Sequence, residues 1–75
     1  MLVSDLVSAV VASKRRTLRL EQAAGRVIDS EAFVADVASA VRKALALAEV
    51  QGDTDTVESV LALATLQARL VYSDN

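Results

Sequence analysis

Glycine and proline are scarce in this chain, and this scarcity constrains how it divides into elements. The sequence has no proline, and its only glycines are Gly25 and Gly52. Because glycine readily takes the left-handed conformation that ends many helices, these positions divide the chain into three segments. Each segment repeats apolar residues every three to four positions, which is typical of an amphipathic helix. We therefore predict an all-α fold of three helices, at about 4–24, 30–51 and 54–72, in one domain of 75 residues.

Capping signals lie at the start of each segment. Ser4 is a candidate N-cap of helix 1, and the acidic stretch 53–55 offers competing caps for helix 3. Asp29 can accept the free amides of helix 2, where Ile28 and Phe33 occupy the positions of a hydrophobic staple. Both connections are short, so we expect neighbouring helices to run antiparallel.

Helix 2 has two adjacent apolar rows and one polar face. A helix with two such rows contacts two neighbours at once, so we place helix 2 at the centre of the fold. Its predicted core residues are Phe33, Val37, Val41, Ala44 and Leu45.

Helix 3 is apolar over a wider arc than one neighbour can cover. At about 100° per residue, its apolar rows span roughly 200° of the helix surface, about twice what a surface helix needs. Chains of this size bury only about 60% of their unfolded surface, so little other protein is available to cover the excess. We therefore expect homo-oligomerisation through one of these rows, here called the leucine row: Leu63, Leu66 and Leu70.

Helix 1 carries an uncharged row with the alternating three- and four-residue spacing of a coiled-coil seam. The row consists of Val3, Leu6, Val10, Ser13, Thr17, Leu20 and Ala24. The spacing does not name the partner of the row, so packing within the chain and packing between copies are both open. If copies pair, we expect Val3, Leu6, Val10 and Leu20 to form a second self-association surface.

Half of the positive side chains lie within six residues of helix 1, at Lys14, Arg15, Arg16 and Arg19. Such a cluster can hold nucleic-acid phosphates or an acidic protein surface. No aromatic residue is interleaved for base stacking, and Glu21 lies nearby. A solvated helix face, or contact with the acidic part of another copy, is the alternative. The charge distribution allows the latter, because residues 1–28 carry a net +3 and residues 29–75 a net −5.

The sequence offers little for catalysis. It has no histidine and no cysteine, which removes the usual general base, the thiolate nucleophile and the common zinc ligands. Capping accounts for the acidic stretch 53–55, which lacks the remaining ligands of a calcium loop. We predict no enzymatic activity, no cofactor and no bound metal. The sequence has no apolar run of membrane-spanning length and no signal peptide, so we expect a cytoplasmic protein.

Residues 13–33 resemble the central helical region of the small subunits of phage terminases. In both, a basic helix rich in Leu and Glu leads into a glycine, a basic residue, two aliphatic residues and an acidic N-cap; here Gly25, Arg26, Val27, Ile28 and Asp29 follow the helix. The resemblance implies a ring-forming, non-catalytic subunit that helps a large terminase package viral DNA. It would place the protein in the host cytoplasm or in the virion. This chain lacks the helix-turn-helix domain and the proline-containing segment expected of the family, so only the assembly role carries over.

These observations predict a non-catalytic helical oligomerisation or adaptor protein, with a role in phage particle assembly or DNA packaging. A small nucleic-acid-binding regulator that uses the basic cluster is one alternative. A helical inhibitor or interaction protein that covers a larger partner is another.

Overall fold

The computed structural model describes residues 3–47 and 54–74, and three α-helices make up most of these ranges. They are α1 (Val3–Ala23), α2 (Ser30–Leu47) and α3 (Thr54–Asp74), and no strand occurs in the described ranges. The predicted all-α fold is therefore confirmed. The predicted end of helix 2 near residue 51, its terminal Gly52 and the candidate cap Asp53 lie outside the described residues. The other two candidate caps of helix 3, Thr54 and Asp55, lie inside α3, so those two predictions are wrong.

A glycine motif ends α1. Gly25 has a φ of 86°, and its N–H donates to the carbonyl of Gln22 at 3.0 Å. The N–H of Arg26 donates to the carbonyl of Glu21, also at 3.0 Å. This pair of bonds is the Schellman motif, which satisfies two carbonyls at a helix end. The side chains of Arg26 and Glu21 form an ion pair of 2.9 Å in the place where the motif often has a hydrophobic contact.

Asp29 caps α2 as predicted. Its Oδ1 accepts a hydrogen bond of 2.7 Å from the N–H of Ala32, and its carbonyl accepts from the N–H of Phe33 at 3.1 Å. The predicted cap of α1 is wrong, because α1 begins at Val3 and Ser4 lies inside the helix.

The core lies along the axis where the three helices meet, and each helix contacts both others. Four of the core residues predicted for helix 2 are buried, and Ala44 packs partly buried against them. α3 contributes two alanines with no exposed surface, and alanine allows helices to approach closely. The buried residues are Leu6, Val7, Val11 and Leu18 of α1, Phe33, Val37, Val41 and Leu45 of α2, and Ala64 and Ala68 of α3.

The last turn of α3 packs beside the first turn of α2. The Tyr72 ring lies 6.0 Å from the Phe33 ring, centroid to centroid, so the two helices run in opposite directions. α3 continues to Asp74, two residues beyond the predicted end. The Tyr72 hydroxyl also donates a hydrogen bond to the carbonyl of Ile28, shortly after the end of α1, so α1 and α3 run in the same direction. These two helices enclose a groove on one side of the bundle. None of the described helices has the apolar length needed to cross a membrane.

Candidate interaction surfaces

α3 buries two alanines and leaves three leucines exposed beside them. Ala64 and Ala68 are completely buried, whereas Leu63, Leu66 and Leu70 are 42%, 57% and 59% exposed. All five positions lie within two turns of one helix, so the rotation of α3 about its axis decides which of them reach the core. The structure thus leaves the leucine row on the surface of the single chain.

The structure divides the predicted row of helix 1 into two parts. Leu6 belongs to the core, and Val3 and Val10 pack partly buried against it. For this half of the row, packing within the chain is the alternative that the structure supports. Leu20 is 70% exposed and contributes nothing to the core.

The buried residues of α1 follow a different line from the predicted row. Val7, Val11 and Leu18 face the core, and the two turns between Val11 and Leu18 are bordered by half-buried charged residues. One of them, Lys14, places its Nζ 3.0 Å from Oδ2 of Asp36 on α2. Long basic side chains can cover apolar surface with their stems while the charged end reaches a partner or water.

The predicted basic cluster is also divided. Lys14 points towards α2, whereas the three arginines line the groove between α1 and α3. This groove, here called the arginine groove, has a volume of about 380 Å³. Its lining consists of Ser8, Val11, Ala12, Arg15, Arg16, Arg19, Gln67 and Val71. The structure therefore brings three of the four predicted contact residues together at one site.

One donor in the arginine groove is in an unusual position. Nε of Arg15 is buried and has no hydrogen-bond partner among the described residues. A buried donor without an acceptor costs free energy, so buried polar atoms are nearly always paired. The Arg15 guanidinium is thus a group whose hydrogen bonding the described part of the chain leaves incomplete.

Sequence reasoning identified the arginines but missed the residues that α3 contributes. Gln67 and Val71 lie four residues apart on α3 and form the opposite wall of the groove. The amide of Gln67 can both donate and accept hydrogen bonds, so it is suited to a polar ligand beside the arginines. No sequence signal marked these residues, because their role depends on which helix packs beside α1.

A second groove, of about 440 Å³, lies between α2 and α3 and holds Glu31 and Arg69 at its polar edge. In the described part of the chain, no three His, Cys, Asp or Glu side chains are close enough to hold a metal ion. Two surfaces of the described chain suggest a function: the leucine row and the arginine groove.

Comparisons with known proteins return no match, whether with protein-family models, with curated proteins or with solved structures. The similarity of residues 13–33 to terminase small subunits stays a prediction. A function must be proposed from the two surfaces.

Proposed function

We propose that this protein is a non-catalytic helical association module, an adaptor that pairs first with a second copy of itself through the leucine row. The observation that carries the proposal is the orientation of α3, which buries Ala64 and Ala68 and exposes three leucines beside them. In a chain that exists alone, this arrangement leaves the apolar surface of three leucines in contact with water. Contact with another apolar surface recovers it.

The spacing of the leucines suits a helical partner. Leu63, Leu66 and Leu70 are separated by three and four residues, which is the spacing of a coiled-coil seam. If two copies pair with their α3 helices antiparallel, Leu63 of one copy lies against Leu70 of the other and the two Leu66 side chains meet near the centre. Such an interface uses the same patch on both copies, as two-fold dimers do.

The free energy that the leucine row can contribute is similar in size to the cost of association. Full burial of a leucine is worth about 1.5–3 kcal/mol, so covering six half-exposed leucines contributes on the order of 5–10 kcal/mol. Association itself costs about 4–15 kcal/mol in lost freedom. The leucine row therefore forms the apolar centre of the interface, and the side chains around it must add to the affinity.

The resemblance of residues 13–33 to terminase small subunits supports a more specific role. Those subunits act by assembly rather than by catalysis, which agrees with a protein whose described features are surfaces. We accordingly propose a role in phage particle assembly or DNA packaging, in the host cytoplasm or the virion.

Light scattering across a dilution series, at low and high salt, tests the proposal. Apolar contacts are not weakened by salt, so we expect a multimer whose mass persists at high salt. A folded monomer at every concentration would rule out self-association, and a multimer that dissociates in high salt would place charges, not leucines, at the interface.

A further inference from the structure

We propose that the arginine groove between α1 and α3 binds an acidic amphipathic helix of a partner protein. This binding site is separate from the leucine row, and the inference does not depend on self-association.

Two helices line the groove and leave room for part of a third beside them. On α3 the lining consists of Gln67 and Val71, one turn apart, and on α1 it extends from Ser8 to Arg19. At about 1.5 Å per residue, this stretch is roughly 16 Å long, which corresponds to about three turns of a helix. A helix that lies in such a groove completes a four-helix bundle, and helix-in-groove binding is a common mode of peptide recognition.

The charges of the groove fit carboxylates. Arg15 and Arg19 lie one turn apart on the same face of α1, and Arg16 lies beside them. Guanidinium groups bind carboxylates through paired, charge-assisted hydrogen bonds. Acidic residues at positions i and i+4 of a bound helix would match the spacing of Arg15 and Arg19. No carboxylate belongs to the described lining of the groove, so a bound acidic side chain would meet no like charge there.

The guanidinium of Arg15 is only partly available to a ligand. Its Nε is covered by the protein, so a carboxylate in the groove would bind the terminal nitrogens of this guanidinium.

The apolar part of the lining distinguishes an acidic helix from a nucleic acid. Val11, Ala12 and Val71 line the groove together with the arginines. The apolar edge of an amphipathic helix can cover these residues, while the charged phosphates of a nucleic acid cannot. The lining also contains no aromatic side chain on which a base could stack.

The test is a binding titration with a defined probe. The probe is a fluorescein-labelled helical peptide of about 18 residues, or five turns, with glutamates at i and i+4 on one edge, leucines on the adjacent edge and alanines elsewhere. The protein carries Leu66→Ser, a neutral change that weakens the leucine row without adding charge. Fluorescence anisotropy at low salt gives the affinity, and a labelled DNA duplex is titrated in parallel.

Two double variants with the same change in charge make the comparison. Arg15→Gln with Arg19→Gln removes two cations from the groove, and Arg42→Gln with Lys43→Gln removes two exposed cations from α2. We expect the groove variant to weaken peptide binding by about tenfold or more, since the variant loses two charge pairs with the peptide and their contributions to the affinity add up. We expect the α2 variant to bind within about twofold of its parent, because screened charges outside the site contribute little. Circular dichroism confirms that both variants stay helical.

Several outcomes would overturn the proposal. Equal losses in the two variants would mean that only net charge attracts the peptide. DNA binding that depends on Arg15 and Arg19, without peptide binding, would assign the groove to nucleic acid. No binding of either probe would leave the groove without this role. If the groove variant, made without Leu66→Ser, lowers the mass of a multimer, then the occupant is a second copy. The peptide and DNA titrations do not bear on whether Leu66 lies at a self-interface, so the two proposals can fail independently.

Discussion

The phenol of Tyr72, near the end of α3, donates a hydrogen bond of 2.6 Å to the backbone carbonyl of Ile28, 44 residues earlier in the chain. Ile28 precedes the cap of α2, in the connection that follows α1. The bond therefore connects the last turn of α3 to the junction of the other two helices. Both residues are half-buried, so water competes poorly for this carbonyl.

We expect Tyr72→Phe to lower the free energy of unfolding by about 1–2 kcal/mol, because the ring stays in place while the partly buried carbonyl loses its donor. Urea denaturation at a fixed protein concentration measures the change. Ser73→Ala, at an exposed neighbour, is the control and should change stability by less than about 0.5 kcal/mol. Equal effects of the two changes would mean that the bond contributes nothing beyond helix propensity.

Two leucines, two residues apart on α1, give a test of the packing. Leu18 is 1% exposed and Leu20 is 70% exposed. Leu18→Ala should cost about 2–5 kcal/mol by leaving a cavity, which is a large part of the roughly 4–11 kcal/mol expected for a chain of this length. Leu20→Ala should cost less than about 0.5 kcal/mol. Thermal and urea unfolding report both values, and a larger loss for Leu20 would mean that α1 is rotated relative to the structure.

The difference between α1 and α2 shows which parts of the fold were predictable. In α2, apolar residues lie on one side and polar residues on the other, so periodicity alone identified Phe33, Val37, Val41 and Leu45. In α1, the predicted row contained only uncharged residues, and two of them, Thr17 and Leu20, are exposed. The observed line runs past charged residues, because long basic side chains can border a core.

The two surfaces were predictable to different degrees. The excess apolar arc of helix 3 was visible in the sequence, and the leucine row is indeed exposed. The arginine groove was visible only in part, because the sequence placed the arginines on one helix but could not say which helix would face them. Gln67 and Val71 line the groove because α3 packs beside α1, and the periodicity of a sequence does not specify which helices pack together.

The turn at Gly25 gives a prediction about backbone conformation. A Cβ at this position would meet no atom within 4 Å, so the cost of a substitution comes from the φ of 86° alone. Gly25→Ala should destabilise the fold by about 1–2 kcal/mol, because alanine disfavours the left-handed region. Gly25→Asn should cost less, because asparagine tolerates this region better. Urea denaturation of the three proteins should give the order Gly, Asn, Ala, and equal stabilities would indicate that the turn changes its conformation instead.

The leucine row provides the sharpest test of self-association. Leu66→Glu places a charge at the centre of the proposed interface, where it could not be covered without a large desolvation cost. We expect this variant to be monomeric by light scattering at concentrations where the parent is a multimer, with its helix content largely retained because residue 66 is exposed in the single chain.

Leu47→Glu is the matched control. Leu47 is an exposed leucine as well, at 86%, but it lies at the end of α2 and outside the leucine row. The Leu47→Glu substitution introduces the same charge as Leu66→Glu and should leave the mass of the multimer unchanged. If both variants dissociate the multimer, then net charge rather than the leucine row governs association. If neither does, then the copies meet elsewhere, and the leucines of α3 are left for a different partner.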